Sequence, residues 1–138
     1  MIMGTLERLQ NSALEYLRSI ADLSYADIKK NGAPDFGGKA EGLHIDIMRP
    51  LPLAASKYAA GPTFSEVELR IRIVRDDDIA ARAPSLITSA EIVSRAMHNW
   101  LPPALCGYGR TTLAQQRPWV FGKNSDVEIV LNAQSVLQ

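Results

Sequence analysis

His44 and Asp46 lie two residues apart in the segment G-L-H-I-D-I-M. That spacing puts an imidazole and a carboxylate on the same face of a β-strand, because successive side chains alternate sides. The chemistry such a pair offers is general acid–base work, with the histidine carrying the proton and the carboxylate orienting it. It needs a nucleophile or a metal to act on. The sequence has no G-x-S-x-G elbow, no H-E-x-x-H and only the two histidines His44 and His98. His44 alternates with the apolar positions of its strand, so it is expected as a surface histidine beside Asp46 rather than a catalytic dyad.

Three other groups call for the same weighing. Asp76, Asp77 and Asp78 are consecutive, but no second acidic cluster follows at a metal-loop spacing, so a solvated turn is expected and no metal site. The F-G-G-K-A run lacks both the G-x-x-x-x-G-K-[ST] spacing and the preceding apolar strand of a phosphate-binding loop. Cys106 is the only cysteine, which excludes an internal disulfide and a thiolate-rich metal site within one chain. With no acid or histidine suitably spaced around it, an inert thiol is expected. The chain does not look like an enzyme, and no cofactor is expected.

Formal net charge is zero, so no global field draws this chain to a nucleic-acid backbone or an anionic membrane. The basic residues are scattered, Arg70, Arg72 and Arg75 being the only cluster, and Glu66, Glu68 and the aspartate run offset it. Near-neutral proteins associate more readily, a pointer toward assembly. The N-terminal M-I-M-G-T-L-E-R-L-Q has no basic region followed by an apolar core, and no run approaches the roughly 18 apolar residues of a membrane span. A protein made and kept in a cytoplasm is the expectation. At 138 residues a single domain over 1–138 is expected, with no internal repeat.

The elements that must position these groups are organised around S-E-V-E-L-R-I-R-I-V-R-D, residues 65–76. Val67, Leu69, Ile71 and Ile73 alternate with Glu66, Glu68, Arg70 and Arg72, giving a strand with one apolar and one charged face. The charged face is either solvated or a recognition surface. Upstream, Leu6, Leu9, Ala13, Leu17 and Ile20 recur at helical spacing, with Thr5 as its cap and Glu7 at the positive end of the dipole. Residues 23–29 read as a short strand. Residues 30–42 hold turn chemistry throughout, with Phe36 either solvated or part of a contact arm.

Leu43, Ile45 and Ile47 alternate in a further strand, ended by Pro50 and Pro52. A hairpin with a long loop between Gly42 and Asp76 follows, and Lys57 and Tyr58 at its tip are candidates for partner contact. A second helix starts either at a Thr88/Glu91 capping box or near Pro84. It stops before Pro102, with His98 placed to meet the C-terminal dipole. T-T-L-A-Q-Q, R-P-W-V-F-G and D-V-E-I-V-L-N-A-Q supply the remaining strand candidates. These elements predict an α+β fold: a mainly antiparallel sheet of four to five strands with two helices packed on one face.

The order helix, short strand, long hairpin, helix, two strands resembles the small tail-terminator and tail-completion proteins of long-tailed bacteriophages, including those of Mu-like prophages. The resemblance is carried by the helix T-L-E-R-L-Q-N-S-A-L-E-Y-L, the hairpin strand V-E-L-R-I-R-I-V-R-D, the helix closing in M-H-N-W-L-P and the terminal D-V-E-I-V-L. It covers nearly the whole chain through architectural motifs. It implies a structural subunit, without catalytic residues, that assembles into a hexameric ring. Such a ring caps the tail tube and presents a surface to the head–tail connector, in the host cytoplasm during assembly and then in the virion tail. Under it, Glu66, Glu68, Arg70 and Arg72 become candidates for the subunit joint or the lumen. Phe36, Lys57 and Tyr58 become candidates for contact with the tube protein or connector. Two alternatives stay open: another phage neck or head-completion subunit, and a small α+β ligand-binding or enzymatic domain using the His44/Asp46 face.

Overall fold

A computed structural model describes residues 2–31, 42–57, 62–78 and 83–136. Its centre is β4, Phe64–Arg75, whose burial alternates strictly from Val67 to Ile73 as the period-two pattern dictates. β7, Asp126–Gln134, runs antiparallel along nearly all of one side of β4. The other side is shared by β2, Leu43–Ile47, which pairs with residues 71–75, and β3, Leu51–Ala55, which pairs with residues 64–68. Outside β2 lies β1, Ala26–Lys30, and outside β7 lie the short strands β5, Thr112–Leu113, and β6, Trp119–Phe121.

The α+β class holds, with two corrections to the sheet. It has seven strands among the described residues, and it is mixed, because β1 runs parallel to β2. Alternation specifies which side chains face the core but is blind to strand direction, so β1 carried no sign of its orientation. β3 occupies what was expected to be hairpin loop. Its L-P-L-A-A sequence has no alternation of burial, and its register with β4 is broken by bulges. An edge position tolerates the proline that a central strand would not.

Helix α1, Thr5–Arg18, covers β1 and β2, and α2, Leu86–Met97, covers β4 and β7. Both lie on one sheet face. Ala13 and Leu17 of α1 and Ala90, Val93 and Met97 of α2 share a single core with Ile45, Ile71, Ile73, Ile129 and Leu131. Two polar anchors fix α1: Gln10 Nε2 donates to Ile47 O at 2.9 Å, and Arg18 donates from Nε and Nη2 to Ile28 O at 3.0 and 2.7 Å. A buried carbonyl left without such a donor would cost about 1–3 kcal/mol.

Helix ends differ from expectation. Gly4, not Thr5, is the N-cap of α1, with no side-chain cap, and Ala21–Leu23 form a 3-10 turn ahead of β1. The N-cap of α2 is Ser85, whose Oγ accepts the Thr88 N–H at 3.2 Å; Thr88 therefore sits inside the helix, close to the start favoured by Pro84. His98 ends α2 and accepts the Leu113 N–H through Nδ1 at 3.1 Å, so it serves β5 rather than the helix dipole.

Candidate interaction surface

Both helices cover one face; no described helix covers the other, which carries the outward residues of each strand. Register sets which of them meet. Arg72 of β4 lies between Asp46 of β2 and Glu128 of β7; Arg70 faces Val130, Glu68 faces Asn132 and Glu66 faces Gln134. Arg70 joins two carboxylates, with Nε 3.0 Å from Glu68 Oε2 and Nη1 2.9 Å from Glu128 Oε2. Arg72 Nε lies 3.1 Å from Asp126 Oδ2. The hydrogen bond to Glu68 is the chief reason the Arg70 guanidinium is held above its ordinary value; burial works against this, and Glu128 adds to the rise.

Two of the four strip residues expected at a subunit joint, Arg70 and Arg72, thus find their partners within the chain, and Glu68 shares Arg70. Their side chains remain 38% and 40% exposed, so these pairs contribute modestly to stability. Glu66 is different. It has no ionic partner among the described residues.

His44 is not the surface histidine expected; it is 6% exposed. The cause is β1, which extends the sheet beyond β2 and sets Asp27 directly beside His44, with Oδ2 3.9 Å from Nδ1. Asp46 instead lies level with Lys29 and Arg72. It lines a cavity of about 280 Å³ with Asn31, Met48 and Arg49, and His44 is not among the described residues lining it.

Around the acidic run, the Asp76 carboxylate accepts the Asp78 N–H at 3.1 Å and Asp77 pairs with Arg75, which closes a turn. No group of three or more His, Cys, Asp or Glu side chains among the described residues is placed to hold a metal ion. Cys106 is buried, its Sγ 3.6 Å from Ser12 Oγ. Lys57 is exposed just past β3, whereas Phe36 and Tyr58 fall outside the described residues. No helix among the described residues is long and apolar enough to cross a membrane.

Strands β5 and β6 fall within the expected T-T-L-A-Q-Q and R-P-W-V-F-G segments, but sequence reasoning missed the basic edge they form. Between Glu91 and Asp126 the chain carries Arg95, Arg110, Arg117 and Lys123 and not one carboxylate. This acid-free run in a neutral chain was the available signal. Topology turns it into a surface, because Arg110, Arg117 and Lys123 all fall along the free edge beside β7. Trp119 pins that edge to α2 by donating from Nε1 to Ser94 Oγ at 2.8 Å. Arg110 Nη1 donates to Asn99 O at 2.6 Å; Arg117 and Lys123 have no ionic partner among the described residues.

Comparison with protein-family models and with curated proteins finds no match for this chain.

Proposed function

We propose that this chain is a structural subunit of a long-tailed bacteriophage or prophage that works as a homo-oligomeric ring, capping the tail tube and joining it to the head-tail connector. The support is architectural. The element order keeps the helix, strand, hairpin, helix and strands of the resemblance, with β3 added inside the hairpin and three strands rather than two after α2; two helices cover one face of the sheet while the other carries a charge lattice held in place by short ion pairs. The single observation that carries the reading is β3, which has no strand beyond it among the described residues. All five of its residues are exposed, including Leu51 at 54% and Leu53 at 46%. An exposed apolar edge strand left unpaired is an aggregation liability, and a subunit that always works in an assembly escapes it.

In this role the protein needs no cofactor and no catalytic group. It acts in the host cytoplasm while tails are built and afterwards in the virion tail. Light scattering on the purified chain tests the reading, alone and with tail tube protein added. A discrete multiple of the 15.1 kDa subunit is the expected result. Only monomer, at high concentration and with tube protein present, would count decisively against it.

A further inference from the structure

Among the described residues β3 and β5 are edge strands on opposite sides of the sheet, and they stand at the same level. On one side, β3 has no strand beyond it among the described residues, and it lies directly against Glu66 and Glu68 of β4. On the other side, β5 is likewise paired only with β7, and Arg110 precedes it. The strand rows align the two edges: Glu66 is in register with Gln134, and Gly109, next to Arg110, donates its N–H to Gln134 O at 2.8 Å. The row runs from Ala54 of β3 through Glu66 and Gln134 to Gly109, so Glu66 lies one strand in from the β3 edge and Arg110 adjoins the opposite end. A groove of about 410 Å³ opens at the basic end, lined by Arg110, Thr112, Gln134 and Val136 among others, with Val136 62% exposed. At the acidic end stand the exposed Leu51 and Leu53.

Strand direction fits as well. β3 is antiparallel to β4, whereas β5, antiparallel to β7, runs the same way as β4. A second copy displaced along the sheet would then bring its β5 edge antiparallel to the β3 of the first, the more stable pairing. Because the two mating surfaces differ, the contact is head-to-tail and closes into a ring if its rotation permits.

We propose that β3 of one copy docks on the β5 edge of the next, with Leu51 and Leu53 against the groove at Val136 and the long Arg110 side chain reaching over β3 toward Glu66. This rests on the ring reading for its choice of partner, a second copy of the chain. It goes further in naming which surfaces meet. Lys123 and Arg117, on the same acid-free edge, add long-range attraction toward the carboxylate-bearing side of the neighbour.

The test is sedimentation velocity across a concentration series, with far-UV circular dichroism and thermal melting showing that each variant folds. Arg110→Glu and Glu66→Lys, each alone, should weaken association about tenfold. An equimolar mixture of the two should restore it, since each altered edge then finds an oppositely charged one. Leu53→Asp, at an exposed position outside both hydrophobic core clusters, should also weaken association about tenfold or more. An oligomeric wild type indifferent to all three substitutions overturns this docking and leaves the ring reading standing. A monomeric wild type overturns both. Heparin binding by a monomeric protein, lost in Arg110→Glu, would assign the basic edge to a polyanion and overturn the inference too.

Discussion

Replacing Gly122 by alanine should destabilise the protein by about 2 kcal/mol, and the reason lies in one crowded turn. Gly122 joins β6 to β7 and donates its N–H to Asp126 O at 2.9 Å. A Cβ there would fall 2.5 Å from Asp126 Cγ and closer still to both carboxylate oxygens. That carboxylate has little freedom to yield. Asp126 is only 8% exposed; Oδ1 accepts the Asn124 N–H at 3.1 Å, and Oδ2 lies 3.1 Å from Arg72 Nε. Admitting the methyl breaks both contacts. A hydrogen bond to a charged group contributes about 1.5–3 kcal/mol, and the half-exposed Arg72 pair adds up to about 1 kcal/mol. The lower entropy of the unfolded alanine chain returns about 0.4–1 kcal/mol. Urea denaturation should therefore show a loss near 2 kcal/mol, and a thermal scan a Tm lower by about 6–8 °C. In an Asp126→Ala background the added methyl has room, and its cost should fall close to zero. A Gly122→Ala protein within about 0.5 kcal/mol of wild type, or an equal cost in both backgrounds, refutes the reasoning.

Further outcomes follow from the same geometry. Ser85→Ala should cost about 1 kcal/mol by orphaning the Thr88 N–H, read as a shift in the urea midpoint, whereas Thr88→Ala, inside the helix, should cost less. Burial pushes the Tyr108 phenol above its ordinary value of 10.0, with a hydrogen bond to Thr5 working the other way. The fold thus holds this proton more tightly than the unfolded chain does. Its contribution is fully present below about pH 10 and is lost as pH rises through the raised folded value. Tyr108→Phe should lose about 1 kcal/mol at pH 7 with the bond to Phe64 O, yet show a flatter decline between pH 9 and 11; an unchanged alkaline slope would contradict this. A double-mutant cycle on Arg70→Met and Glu128→Gln should give a coupling below about 1 kcal/mol, because Arg70 is partly solvated; a value above about 2 kcal/mol would assign this pair a structural role it is not given above.

The parts of the fold visible in the sequence were those where burial writes a period into the chain. Val67 to Ile73 and Val127 to Leu131 alternate because each strand has one covered face, and Leu9, Ala13 and Leu17 recur because α1 lies on that cover. β3 left no such trace, and β5 and β6 showed only as the strand candidates T-T-L-A-Q-Q and R-P-W-V-F-G, without a burial period. The first is exposed along its whole length, and the others are two and three residues long, too short for a pattern. His44 looked like a surface residue because its strand could not announce the additional strand beyond it. The charge strip was legible as a strip, but its pairing was not. Glu128 lies 58 residues from Arg70, and only the β4–β7 register brings them within 2.9 Å. The basic edge was present as an acid-free run, yet its meaning depended on topology, which strings those residues along one side of the sheet.

The central claim is that this chain works as an assembled ring, and its mass in solution addresses that most directly. Multi-angle light scattering of the purified wild-type protein, across a hundredfold range of concentration, should give a single closed multiple of 15.1 kDa that does not grow further. A mass of one subunit at every concentration, unchanged when tail tube protein is added, would contradict it.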